Sequence, residues 1–185
     1  LDRSLSIYRP EYKDSLPVDS LLSYINGKQA DYISSYARYW HGYLLFLKPL
    51  LFFTNYLGFR DINRIVQIIV LLVVFTALLM RRQGKVILPF AAAVCFLRPS
   101  AVAFSLQYST VFYITWLAVL AALVWNSRLK QGNGYLYYFL LVGMITNYFD
   151  FLTYPIASLG IPMAMWLVMQ DELPCVQKLK SIIIY

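Results

Sequence analysis

Charged residues are scarce in this sequence. They account for 14% of its 185 residues, whereas an ordinary soluble domain has about a quarter. Hydrophobic residues account for 60%, and the mean hydropathy is +0.59. Because so few charges cannot cover the surface of a water-soluble domain of this size, the composition predicts a membrane protein.

Cysteine and histidine are scarce as well, which excludes several kinds of site. Cys95 lies in an apolar run and Cys175 in a polar loop, so neither a disulfide framework nor a cysteine metal site is expected. The only histidine, His41, cannot supply a site with several histidine ligands, although a metal bound by oxygen ligands stays open. Walker phosphate loops, nucleophile elbows and heptad arrays are absent. We therefore assign no metal site, and the sequence does not indicate a cofactor.

Long apolar runs dominate the rest of the chain. Five of them look long enough for a transmembrane helix, which needs about 17 to 25 residues. They lie at about 62–80, 86–106, 108–125, 135–152 and 154–169. A helix satisfies its own backbone in lipid, so we predict an all-α, polytopic membrane bundle over 62–169. The shorter run 43–57 contains Lys48 and Pro49 and is typical of an interfacial or re-entrant helix. Residues 170–185 are expected to form a cytoplasmic loop and the start of a further helix, as in a piece of a longer protein.

The positive charges predict the orientation of the bundle. The net charge is +7, but the cations lie at the ends of apolar runs and not along one face, which favours membrane topology over nucleic-acid binding. The loops after the first, third and fifth runs are basic, while the two turns between them contain no Lys or Arg. By the positive-inside rule, we expect a multi-pass protein of the cell membrane with residues 1–42 on the extracytoplasmic side.

The polar segment 1–42 carries five of the nine acidic residues of the chain. It includes Asp2, Asp19 and Asp31, and its apolar residues recur at helical spacing on either side of Asn26-Gly27. We predict two short amphipathic juxtamembrane helices, with Asp19 or Ser20 capping the first and Asp31 in the first turn of the second. Capping and solvation are the ordinary roles of such carboxylates.

The stretch YARYWHGY, residues 36–43, lies where this segment meets the first apolar run. Tyr and Trp favour the membrane boundary, so an aromatic belt explains the stretch in the simplest way. Alternatively, Arg38 and His41 share one helical face at i and i+3 and present two donors to a phosphorylated lipid.

Two charged residues inside the predicted bundle stand out as candidates for a site. Arg98 lies within the second run, directly before Pro99, and Asp150 lies near the end of the fourth. A charge in hydrocarbon costs about 2.5 to 3.5 kcal/mol unless it is paired or reaches water. Arg98 either extends to the outer surface or shares a site with Asp150.

The layout of the sequence resembles the GT-C superfamily of membrane glycosyltransferases that use polyprenyl-phosphate-linked sugars. LDRSLS is similar to the start of the first outer loop of that family, and RYWHGYLLFLKPLL to its loop-closing stretch. The resemblance implies transfer of a sugar from a polyprenyl-phosphate donor to a cell-envelope acceptor. It implies Asp2, or else Asp19, as the catalytic base, and Arg38, His41 and Arg98 on the phosphate side. Asp150 would bind or orient the acceptor.

Two other classes of protein stay open. A membrane transporter or flippase of envelope precursors would use Arg98 and Asp150 as substrate or coupling charges. A non-catalytic membrane scaffold would use the aromatic outer segment as a docking surface and would need no carboxylate.

Overall fold

The protein is mostly helical, which confirms the predicted all-α class at the coarse level. A computed structural model describes residues 8–12, 16–35, 42–102, 104–149 and 154–170. Within these ranges there are two short strands, β1 (Tyr8–Glu11) and β2 (Tyr32–Ser35). The helices of the same ranges are α1 (Pro17–Ile25), α2 (Leu44–Phe53), α3 (Tyr56–Met80), α4 (Gly84–Leu97), α5 (Pro99–Val102), α6 (Leu106–Val124), α7 (Asn126–Leu129), α8 (Gly134–Phe149) and α9 (Pro155–Met169).

The two strands and α1 form a small N-terminal unit. β1 and β2 pair antiparallel, from Tyr8 opposite Ser35 to Glu11 opposite Tyr32. The Ser34 hydroxyl donates to the Glu11 carboxylate at 2.9 Å, which ties the two strands together through side chains as well. The predicted second amphipathic helix is therefore wrong at Tyr32–Ser35, because strand pairing with a distant segment replaces the local helical bonds.

α1 forms where the first amphipathic helix is predicted, but it begins earlier than expected. Leu16 occupies the N-cap position without a side-chain cap, and Pro17 opens the helix, where its missing N–H is not needed. Asp19 lies in the first turn and does not cap it. The predicted cap at Asp19 or Ser20 is therefore wrong, since the helix that begins at Pro17 has its N-cap three or four residues upstream, at Leu16.

α3 is the longest helix of the described chain. It begins at Tyr56 because the Asn55 side chain accepts a hydrogen bond from the Gly58 N–H at 2.7 Å, an N-cap that the run 62–80 does not reveal. Among the residues that the structure describes, α3 alone is long and apolar enough to cross a membrane. α2, α4, α9 and the Tyr108–Val124 part of α6 are apolar but shorter.

The second apolar run is divided into two helices. α4 ends at Leu97, Arg98 adopts a left-handed conformation with φ of 46°, and α5 begins at Pro99. Proline disfavours the helical conformation of the residue before it, which explains why the break falls at Arg98. The break places Arg98 between two helices and not on the face of one.

α6 lies at the centre of the bundle and contacts α3, α8 and α9. Its core is aromatic: Trp116 is fully buried, and its ring centroid lies 5.0 Å from that of Phe90 on α4 and 6.2 Å from that of Phe112. α3, α6 and α9 begin, and α4 and α8 end, at one end of the bundle, which we call the Arg98 end. The opposite end carries Arg81 and is called the Arg81 end.

Large apolar side chains cover much of the exterior of the described helices, and several polar side chains are buried between them. Leu72 on α3 is 59% exposed and Met144 on α8 is 63% exposed, whereas Asn63 and Gln67 on α3 are 4% and 2% exposed. In a protein surrounded by water, the polar side chains would be expected outside and large apolar patches would be rare. The described helices depart from that distribution, because they expose many large apolar side chains and bury several polar ones in a core that is otherwise apolar.

Candidate functional site

The structure describes two of the six predicted site residues. Asp19 and Arg98 are described, and Asp2, Arg38, His41 and Asp150 lie outside the described residues. Asp19 is exposed in the first turn of α1, where a carboxylate interacts favourably with the helix dipole. Within the described part of the chain, α1 makes no extensive contact with the helices on either side of Arg98. The described contacts therefore do not bring Asp19 and Arg98 together.

Arg98 connects α4 to α5 in a strained conformation. Its N–H donates to the Cys95 carbonyl at 3.3 Å, and its φ of 46° lies in the left-handed region, which costs a non-glycine residue about 1 kcal/mol or more. The side chain is exposed, and no carboxylate among the described residues forms an ion pair with it. The guanidinium is thus available to an anion from outside the described chain.

A cleft of about 280 Å³ lies beside Arg98 at this end of the bundle. Tyr108 and Tyr154 line the cleft, with ring centroids 5.7 Å apart. The remaining lining is apolar and comes from Phe96, Leu97, Ala101, Val102 and Val111. Such a cleft combines one positive charge and two phenols with an apolar wall, a combination that suits an amphipathic anion.

A buried polar group, which we call the Ser109 cluster, connects α3 to α6 close to the cleft. It comprises Asn63, Gln67, Ser109 and Tyr113. The Asn63 amide donates to the Ser109 hydroxyl at 2.8 Å, and the Tyr113 hydroxyl donates to the Asn63 side-chain oxygen at 2.7 Å. Sequence reasoning missed this cluster, although a signal was present. Asn63 and Gln67 lie at i and i+4 in one apolar run, and Ser109 and Tyr113 have the same spacing in another, so each pair shares one helical face.

A second feature missed from the sequence is a pair of arginines on α3. The guanidinium carbon of Arg60 lies 4.3 Å, and that of Arg64 5.4 Å, from the centroid of the Phe104 ring. The predicted run 62–80 leaves Arg60 outside and has Arg64 at its third position, and neither arginine is among the predicted site residues. The contact places two more cations at the Arg98 end.

The start of α2 contacts the end of α8. The Gly42 N–H donates to the Tyr148 carbonyl at 3.1 Å, and the Phe46 and Phe149 ring centroids are 5.6 Å apart. In the sequence, Gly42 directly follows the candidate His41, and Phe149 directly precedes the candidate Asp150. The chain segments next to two predicted site residues therefore meet at the Arg98 end.

Metal ligands do not cluster in this region. No group of three His, Cys, Asp or Glu side chains suited to a metal ion lies within the described ranges. The side chains that line the cleft in these ranges are arginine, tyrosine and apolar residues.

Comparison with known proteins gives no match: no family model, no curated protein and no solved structure is similar to this chain. The likeness to the GT-C superfamily thus rests on the layout of the sequence alone.

Proposed function

We propose that this chain is a polytopic membrane protein that binds a polyprenyl-phosphate-linked sugar at the Arg98 end and transfers the sugar to a cell-envelope acceptor on the outer face. The observation that carries the proposal is the cleft, in which an arginine without a described carboxylate partner stands next to an apolar wall. The GT-C resemblance supplies the reaction.

The many exposed apolar side chains, together with the buried polar ones, support a membrane location. The exposed faces of α3 and α8 are built from Leu, Ile, Val, Phe and Met, which lipid solvates as well as a protein core does. Exposure of this much apolar surface to water would cause aggregation. Buried amides and hydroxyls, by contrast, are tolerated inside a membrane bundle because they hydrogen-bond to one another.

The lengths of the helices around α3 support several crossings. α6 has 19 residues, or about 28 Å at 1.5 Å per residue. α4 and α5 together, from Gly84 to Val102, cover a similar stretch of chain. α8 and α9 have 16 and 15 residues, and helices this short can cross if the bilayer thins or flanking polar residues extend to the interface.

The cleft provides what binding of the donor lipid requires. The Arg98 fork can donate two parallel hydrogen bonds to the phosphate. The apolar wall formed by Leu97, Val102 and Val111 can contact the first units of the polyprenyl chain. Tyr108 and Tyr154 also line the cleft, and their phenols can hydrogen-bond to hydroxyl groups of the sugar.

In the transfer step, a carboxylate takes the proton of the acceptor hydroxyl while the hydroxyl oxygen attacks the anomeric carbon of the sugar. The bond between that carbon and the phosphate oxygen breaks, and the lipid phosphate leaves with the electron pair. Arg98 stabilises the negative charge on the leaving phosphate. Asp2 is the first candidate for the base and Asp19 the second, with Asp150 orienting the acceptor.

The binding step is tested by Arg98→Gln with purified protein in nanodiscs and a short-chain polyprenyl phosphate as ligand. We expect the affinity to fall by about tenfold or more, because charge-assisted hydrogen bonds are lost. Arg128→Gln removes an exposed cation at the Arg81 end and should leave the affinity unchanged. Equal affinity in wild type and Arg98→Gln would contradict the proposed site.

The transfer step is tested by replacing Asp2, Asp19 and Asp150 by Asn, one at a time, and following labelled sugar from a polyprenyl-phosphate donor. Loss of a general base should lower the rate by about 100-fold or more. If all three variants retain full activity, the protein is not a transferase of this kind.

The Ser109 cluster favours a second candidate function, a transporter or flippase of envelope precursors. Polar groups inside a membrane bundle mark substrate pathways in such proteins, and Gln67 lies near the middle of α3. Under this alternative, Gln67→Leu should abolish lipid translocation in proteoliposomes. A transferase should retain its activity in the same variant.

A further inference from the structure

Arg60, Arg64 and Phe104 are not among the residues that line the cleft. The Phe104 N–H donates to the Ala101 carbonyl at 3.1 Å, so Phe104 directly follows the turn whose other residues line the cleft. The Phe104 ring is half exposed, and both guanidinium groups lie over it. Arg60 also lies over a second aromatic ring, because its guanidinium carbon is 6.0 Å from the centroid of the Tyr56 ring.

Two like charges share one aromatic ring, and neither forms an ion pair with a carboxylate of the described residues. Arg60 and Arg64 stand at i and i+4 on α3, a spacing at which like charges destabilise a helix by about 0.2 to 0.5 kcal/mol. Asp61 is adjacent in sequence but forms no ion pair with either arginine among the described residues. An anion bound between the two guanidinium groups would neutralise this repulsion.

Stacking also prepares the guanidinium groups for an oxyanion. A guanidinium that lies over an aromatic ring uses its face, so the N–H donors at its edge remain free for hydrogen bonds. Two guanidinium groups held on one ring can hydrogen-bond to several oxygens of a phosphate group, which flexible lysines do less well.

We propose that Arg60 and Arg64, held on Phe104, form a second phosphate-binding site, distinct from the Arg98 cleft, whose lining includes none of these three residues. The site accepts a phosphate monoester, carried either by a phospholipid headgroup or by a soluble phosphorylated compound. It does not depend on the proposed transfer reaction.

The test uses the full chain with Arg98→Gln in every variant, so that phosphate binding in the cleft does not contribute. Inorganic phosphate is titrated by calorimetry in a phosphate-free, non-ionic detergent at low ionic strength. We expect R60Q/R64Q to weaken binding by about tenfold or more, the effect of losing charge-assisted hydrogen bonds. F104L keeps both charges but removes the ring, and it should also weaken binding.

The matched control is R81Q/R82Q, which removes two exposed arginines just beyond the other end of α3. It should bind phosphate as the Arg98→Gln parent does. Equal affinity in R60Q/R64Q and the parent would overturn the proposal, and so would an equal loss in R81Q/R82Q, which would mean that net charge alone attracts phosphate. Circular dichroism and thermal unfolding confirm that each variant is folded.

A second arm identifies the source of the phosphate group. The parent and R60Q/R64Q are placed in nanodiscs of phosphatidylcholine with and without phosphatidic acid, and inorganic phosphate is titrated again. If phosphatidic acid abolishes titration of the parent, the occupant is a lipid headgroup. If titration continues unchanged, the site takes a soluble phosphate compound.

Discussion

A single hydroxyl group, that of Ser109, connects three hydrogen-bonding groups inside the bundle. It lies within 2.9 Å of the Ser105 carbonyl and 3.0 Å of the Val102 carbonyl, and it accepts from the Asn63 amide. A hydroxyl has one proton and two acceptor positions, so Ser109 serves as donor to the backbone and as acceptor for α3 at once. This double role makes Ser109 the residue on which the α3–α6 contact depends.

We predict that Ser109→Ala destabilises the protein by about 1 to 3 kcal/mol, because the Asn63 amide then loses its acceptor in a buried, apolar environment. Denaturant-induced unfolding in detergent measures the change. Ser127→Ala is the matched control, since Ser127 is exposed at the Arg81 end, and it should have little effect. The pair Ser109→Ala with Asn63→Leu should cost less than the two single changes added together, because the unpaired amide is gone. Simple additivity would show that the two side chains do not depend on each other.

At the scale of helices and strands, the sequence predicts where apolar helices form better than where they begin, break or are replaced. The start of α3 at Tyr56 depends on the Asn55 cap, which a search for apolar runs does not register. The break at Arg98 had a visible signal in Pro99. β2 had none, because its partner β1 lies more than twenty residues earlier and strand pairing is decided by tertiary contacts.

The candidate site shows the same limit. Arg98 was predicted from its charge in an apolar run, but the cleft is assembled from α4, α5, α6 and the residue before α9. Only the packing of these elements brings Arg98, Tyr108 and Tyr154 together, so no local pattern in the sequence could indicate the cleft.

The contact between α2 and α8 depends on Gly42 having no side chain. A Cβ atom at this position would lie 2.6 Å from the Tyr148 ring and equally close to the Tyr148 carbonyl oxygen. Because the backbone oxygen cannot move as a side chain can, we predict that Gly42→Ala destabilises the protein by about 1 to 3 kcal/mol. Gly84→Ala is the control, since no atom lies within 4 Å of its Cβ position, and it should be neutral in the same thermal unfolding assay. Equal stability of both variants would mean that α2 does not dock on α8 through Gly42.

At the scale of the whole molecule, charge and hydropathy favour one arrangement. The Arg81 end carries the exposed cations Arg81, Arg82, Lys85, Arg128 and Lys130, which by the positive-inside rule belong in the cytoplasm. The Arg98 end, with the cleft and the arginine pair, would then face outward, on the side where residues 1–42 are predicted to lie. This arrangement is what the proposed reaction requires, because lipid-linked sugars and envelope acceptors meet on the outer side.

Cysteine labelling tests the arrangement. In a chain with Cys95 and Cys175 replaced by serine, Lys28→Cys and Gln131→Cys place single thiols at two exposed positions, one in the N-terminal unit and one near the start of α8. We expect a membrane-impermeant maleimide to label Lys28→Cys in intact cells but to label Gln131→Cys only after the membrane is opened, because the two sites lie on opposite sides. Equal labelling of both before opening, or recovery of the protein in the soluble fraction without detergent, would contradict a membrane-spanning bundle with its Arg98 end outside.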